Sequence, residues 1–119
     1  MLFFIFLLAL HFIEATAKTA HLDWNIDWVS AAPDGITRPV IGINGQWPCP
    51  QIDINVGDEL WIDFHNQLQN ETSSIHFHGI FQIGSNQMDG PAMVTQCPIP
   101  PGSSEYFLYS FCKILLTIN

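Results

Sequence analysis

Apolar residues recur at every second position over several stretches of this chain, and a period of two dictates strands rather than helices. Leu22, Trp24, Ile26 and Trp28 alternate with Asp23, Asn25 and Asp27. Ile52, Ile54 and Val56 alternate with Asp53 and Asn55, and Leu60, Ile62 and Phe64 with Trp61, Asp63 and His65. Each stretch turns one face to a core and the other to water. Turn residues separate them: Pro33-Asp34-Gly35, Asn44-Gly45 before the corner Trp47-Pro48-Cys49-Pro50, and Gly57-Asp58. The two stretches flanking Gly57-Asp58 are expected to form a hairpin. Beyond the polar loop 67–73, a strand is expected over Ser74–Phe81 with Ile75 and Phe77 inward, then a long loop to Gly102 and a final aromatic strand from Tyr106 to Phe111. Strand after strand without a helical period predicts an all-β sandwich or barrel.

The N-terminus has a different character. Met1 to Leu10 is almost wholly apolar and is followed by Ala15-Thr16-Ala17, a small-x-small pattern, so residues 1–17 are expected to be a signal peptide cleaved after Ala17. The run is shorter than the roughly 20 apolar residues of a membrane helix, so no transmembrane span is expected. Cleavage leaves about 102 residues, room for one domain. Loss of Glu14 leaves 10 acids against 3 bases. That balance excludes a nucleic-acid binder, which needs Lys and Arg against phosphates. Asn70-Glu71-Thr72 is an N-glycosylation sequon, consistent with a secreted or cell-surface location. Three cysteines, Cys49, Cys97 and Cys112, cannot all pair within one chain. A Cys49–Cys97 bridge is conceivable.

His76-Phe77-His78-Gly79 carries the chemistry. On an extended segment both imidazoles leave the same face while Phe77 points the other way, and the two Cα atoms lie about 6.6 Å apart. That is wide for one ion and suits two neighbouring metals. Imidazole serves Cu, Zn, Fe and Ni alike, so the pair alone names no element. His-x-His also opens zinc sites in carbonic anhydrases, amidohydrolases and cupins. No His follows His78, no Glu follows a few residues on, and the chain is too short for a (β/α)₈ barrel of about 250 residues. His21 and His65 read as surface or packing residues.

Taken in order, Asn44-Gly45-Gln46-Trp47-Pro48-Cys49-Pro50, Val56-Gly57-Asp58, Ser74-Ile75-His76-Phe77-His78-Gly79-Ile80-Phe81-Gln82, Met88-Asp89-Gly90-Pro91 and Thr95-Gln96-Cys97-Pro98-Ile99 resemble the first cupredoxin domain of multicopper oxidases, in the variant of fungal laccases and iron-transport ferroxidases. The resemblance implies a Greek-key β-sandwich and copper as cofactor. It assigns His76 to the type 2 copper and His78 to one copper of the type 3 pair. Asp89 takes the place of a carboxylate that helps deliver protons while O₂ is reduced to water. It also implies that Cys97 bonds to a cysteine of a later domain. Phe77 and Met88 lean towards the ferroxidase branch.

The resemblance spans roughly residues 20 to 111 and stops at the tail. Family members continue into a Gly-Thr-Tyr/Trp-Tyr-His-Ser-His segment, where this sequence runs Phe111-Cys112-Lys113-Ile114-Leu115-Leu116-Thr117-Ile118-Asn119. The expected organisation is therefore a signal peptide (1–17), a partial cupredoxin-like domain incomplete at its C-terminal end (18–111), and a divergent tail (112–119). The tail is expected either to fill a sheet edge or to act as an adhesive segment. The expected partners are copper ions and the downstream cupredoxin domains. Alone, the chain is expected to be inactive. The alternative is a non-enzymatic secreted β-domain that binds copper weakly or serves as an interaction module.

Overall fold

Thirteen residues of alternating pattern make β1 (Thr19–Ala31) long enough to serve two partners in succession. In the computed structural model, which describes residues 17–110 and 116–118, its first half pairs parallel with β4 (Glu59–Asn66) and its second half antiparallel with β2 (Arg38–Ile43). The partners change at Ile26, which lies opposite both Asn66 and Ile43. β5 (Ser104–Ser110) adds antiparallel to β4, giving the order β2-β1-β4-β5. A second sheet pairs β3 (Ile52–Ile54) with β6 (Leu116–Ile118), antiparallel. Residues 1–16, Phe111 and Cys112 lie outside the described residues, and with them most of the expected signal sequence.

The period of two decides what is buried. Trp24 and Ile26 of β1, Leu60, Ile62 and Phe64 of β4, and Phe107 and Tyr109 of β5 form the inner face, closed by Ile52 and Ile54 of β3. Each such side chain contributes on the order of 1.5–3 kcal/mol by leaving water. Trp28 does not join them. It lies opposite Ile41 on the part of β1 that has left β4 behind, and it stays 43% exposed. The Asn44-Gly45 turn between β2 and the proline corner has positive φ at both residues, the geometry that matches strand twist. The Asn44 side chain accepts from Asn25 N–H and donates to the Asp23 carbonyl, pinning the turn to β1.

The hairpin expected around Gly57-Asp58 does not form. β3 and β4 lie in different sheets, and Gly57, at φ +92°, turns the chain between them. Asp58 builds this corner: its carboxylate accepts the backbone N–H of Asn55 (3.1 Å) and of Lys18 (2.8 Å). Those two backbone donors hold the Asp58 carboxyl below its usual pKa.

Asn66 is a second polar anchor and is 1% exposed. Its amide donates to the carbonyls of Glu71 (3.0 Å) and Ile99 (2.9 Å), and its oxygen accepts from Leu68 N–H (3.1 Å). It thereby ties the loop after β4 to the approach to β5.

Two predictions follow from these anchors. Asn66→Leu leaves the buried Leu68 N–H without its acceptor and takes one donor each from the Ile99 and Glu71 carbonyls, and should cost about 2–4 kcal/mol in urea unfolding. Asp58→Asn should lower stability at pH 7. Because the folded-state pKa of Asp58 is depressed, its contribution exists above the unfolded value near 3.8 and fades as pH falls through the folded one. The difference from wild type should therefore close in acid; a constant difference would rule out the carboxylate charge as its source.

Candidate metal centre

Phe77 fixes the orientation of the residues on either side of it. It is 6% exposed, its ring 4.4 Å from that of Tyr109 and 6.4 Å from that of Trp24. With Phe77 inward, His76 and His78 are left outward, as alternation requires. The expected strand over Ser74–Phe81 is nonetheless absent: the segment is extended, joined to Ile99 by a single bridge at Ser73, and ends in a turn at Phe77–Ile80. Its neighbour is a loop rather than a strand. A Cβ added to Gly90 would sit 1.6 Å from the Ile75 carbonyl oxygen, so only glycine lets the 89–90 backbone approach this closely.

That approach brings Asp89 to His76. Imidazole Nδ1 of His76 lies 2.8 Å from the Asp89 carbonyl oxygen and 3.3 Å from its carboxylate Oδ1. A carbonyl oxygen only accepts, so Nδ1 carries the proton and, in the neutral ring, Nε2 keeps a free lone pair. A histidine held this way through one nitrogen is oriented to ligate through the other. The His78 ring lies 5.7 Å from that of His76 and nearly perpendicular to it. Both border a cavity of about 290 Å³ whose walls include Trp24, Cys49, Ile52 and Phe77. Among the described residues, no three His, Cys, Asp or Glu side chains converge on one point. The lone-pair chemistry of the two imidazoles fits copper.

The remaining candidates lie elsewhere. Asn70 is exposed in the loop after β4. Cys49 and Cys97 are free and exposed, not bridged. His21 and His65 lie on the outer sheet face beside Asp63 (3.1 Å) and Asp23 (3.4 Å), and His65 Nδ1 also lies 2.7 Å from Ser104 Oγ. Tyr109 escaped the sequence analysis as a site neighbour. Its hydroxyl is buried without a hydrogen-bond partner among the described residues, and burial together with the Asp89 charge pushes its pKa upward. The only sequence signal was its place on an aromatic strand.

The strand-built domain thus presents two outward imidazoles, one of them braced by Asp89. The multicopper oxidase family profile matches residues 25–113, and the chain belongs to that family. It is 56% identical over 97 residues to the iron transport multicopper oxidase fetC of Epichloe festucae, covering 81% of this chain and 16% of that protein. It is 43% identical over 115 residues to the L-ascorbate oxidase of Nicotiana tabacum, covering 91% of this chain and 20% of that protein. The crystal structure of Fet3p, a multicopper oxidase that functions in iron import, superposes with a TM-score of 0.74 at 42% identity, over 78% of this chain and 18% of that one. The chain thus spans less than a quarter of the length of these relatives, and its fold is the cupredoxin-like β fold of multicopper oxidases.

The glycine contacts give a paired prediction. Gly79 and Gly90 both have positive φ, +83° and +92°, but of the two only Gly90 lacks room for a Cβ. Gly79→Ala should cost about 1–2 kcal/mol from left-handed strain alone. Gly90→Ala should cost clearly more in thermal unfolding and should release the Nδ1 proton of His76 to rapid solvent exchange. Equal costs would mean that the 89–90 approach is not what holds Asp89 in place.

Proposed function

We propose that this chain supplies the copper-ligating first domain of a secreted multicopper oxidase, with His76 at the type 2 position and His78 at one type 3 position. The observation that carries this reading is the His76–Asp89 contact, which leaves Nε2 of His76 free on a face shared with His78. Copper, when bound, supplies one-electron redox chemistry between a reducing substrate and O₂.

The chain's own groups orient and supply protons. Asp89 fixes the His76 tautomer through its carbonyl, while its partly exposed carboxylate can take a proton from water and hold it beside the metal face. Phe77, Trp24 and Tyr109 close the floor beneath and keep water from the core. The proposed reducing substrate is Fe²⁺, in keeping with the iron-transport names of fetC and Fet3p, or a phenol. Two imidazoles do not complete a trinuclear site, so these 119 residues alone are expected to show no oxidase turnover. Downstream cupredoxin domains are the proposed partners. Asn70, exposed in its loop, is the proposed glycan acceptor, and glycosidase treatment of the secreted chain should lower its mass.

A second reading, a non-enzymatic secreted β-domain that binds copper weakly, draws on the absence of a third converging ligand among the described residues. Copper analysis with EPR separates the two when complementary domains are supplied. The oxidase reading predicts tight copper and turnover with Fe²⁺ only in the assembly, both lost in the His76→Ala, His78→Ala double variant. Copper retained by that variant would refute the site.

A further inference from the structure

Asp58 is a carboxylate at 7% exposure with no side-chain cation paired to it among the described residues. Such a group is costly to bury unless a positive charge or several donors face it. One oxygen is served by Asn55, whose backbone and side-chain N–H groups lie at 3.1 and 3.2 Å. The other is served by a single backbone nitrogen, that of Lys18, at 2.8 Å. Lys18 is also the first residue after the Ala15-Thr16-Ala17 pattern.

We propose that the Ala17–Lys18 bond is a processing site whose product, the Lys18 α-ammonium, is captured by Asp58 as an ion pair, so that cleavage itself locks the start of β1 onto the sheet. The inference rests on reading residues 1–17 as a signal peptide and goes beyond it. An endopeptidase selective for small residues adds water across the bond. Ala17 keeps the new carboxylate, and the Lys18 nitrogen takes a proton. A neutral amide with one N–H becomes a cation with three, at the same point. The position suits the purpose, because Ala17 is exposed and Lys18 is held from its other side by the Glu59 N–H on its carbonyl (2.9 Å). A cut after Ala20 would instead remove Thr19 and Ala20, which pair with Glu59 and Leu60. The ε-ammonium of Lys18 itself also acts on Asp58 through space.

The test begins with the full chain expressed in a secreting host, followed by N-terminal sequencing. A mature start at Lys18 is expected; any other start overturns the processing site and the signal-peptide boundary together. The α-amine is then acetylated at pH 7 with an N-hydroxysuccinimide ester and followed by mass spectrometry, folded and in urea. An ion pair that raises the α-amine pKa by a unit lowers its free-base fraction, and so its rate, about tenfold. The folded wild type should react at least that much more slowly than the unfolded chain, with the rate restored in Asp58→Asn. NMR titration of ¹⁵N-lysine-labelled wild type gives the same answer without a variant: a pair raises the α-amine pKa, whereas simple burial lowers it. Equal rates, or a lowered pKa, with the start at Lys18 confirmed would overturn the capture and leave the signal-peptide reading intact.

Discussion

The parallel register of β1 on β4 decides which residues meet throughout this domain. With Thr19 opposite Glu59 and Trp24 opposite Phe64, the apolar faces of two strands fall on one side and build the floor of the core. The same register brings Lys18 to Asp58 at one end and Asn25 to His65 at the other. A slip of one residue would invert every side chain on one of the strands. Parallel pairing also requires a long connection, and β2, the proline corner and β3 supply it.

On that floor a short irregular segment presents the two histidines to the surface. Phe77 is the wedge: its contacts with Trp24 and Tyr109 leave the flanking histidines no inward option. The Asp89-Gly90 pair then covers the segment where a sheet would place another strand, and the missing Cβ of Gly90 is what permits it. Asp89 thereby has two roles through different atoms. Its carbonyl fixes the tautomer of His76, and its carboxylate lies beside the same nitrogen.

Much of this was legible in the sequence, for identifiable reasons. Alternation located β1, β3 and β4, an aromatic run located β5, and alternation set Phe77 against His76 and His78 even where no regular strand forms. The all-β, cupredoxin-like class followed from those strands and the ordered motifs, and it holds. The Gly57-Asp58 corner was misjudged because a tight turn between two alternating stretches reads the same whether the chain folds back or changes sheets. The decisive interactions there, from Asp58 to Lys18, join residues 40 apart. Asn66 was invisible for a similar reason: its three bonds reach both before and after a loop, and nothing in the local pattern marks an asparagine as buried. Trp28 kept the period of its strand and still lies in water, because alternation tells which face a residue takes but not how far the core extends.

His76 is held through Nδ1 and left free at Nε2, facing outward beside His78. Imidazole ¹⁵N NMR of the purified chain, recorded before and after addition of diamagnetic Cu(I), reports on both ring nitrogens. The His76 ring should be protonated at Nδ1 without metal, and metal addition should shift only Nε2 of that ring, with a second response at His78. A His76 ring protonated at Nε2, or a metal shift at its Nδ1, would contradict this arrangement.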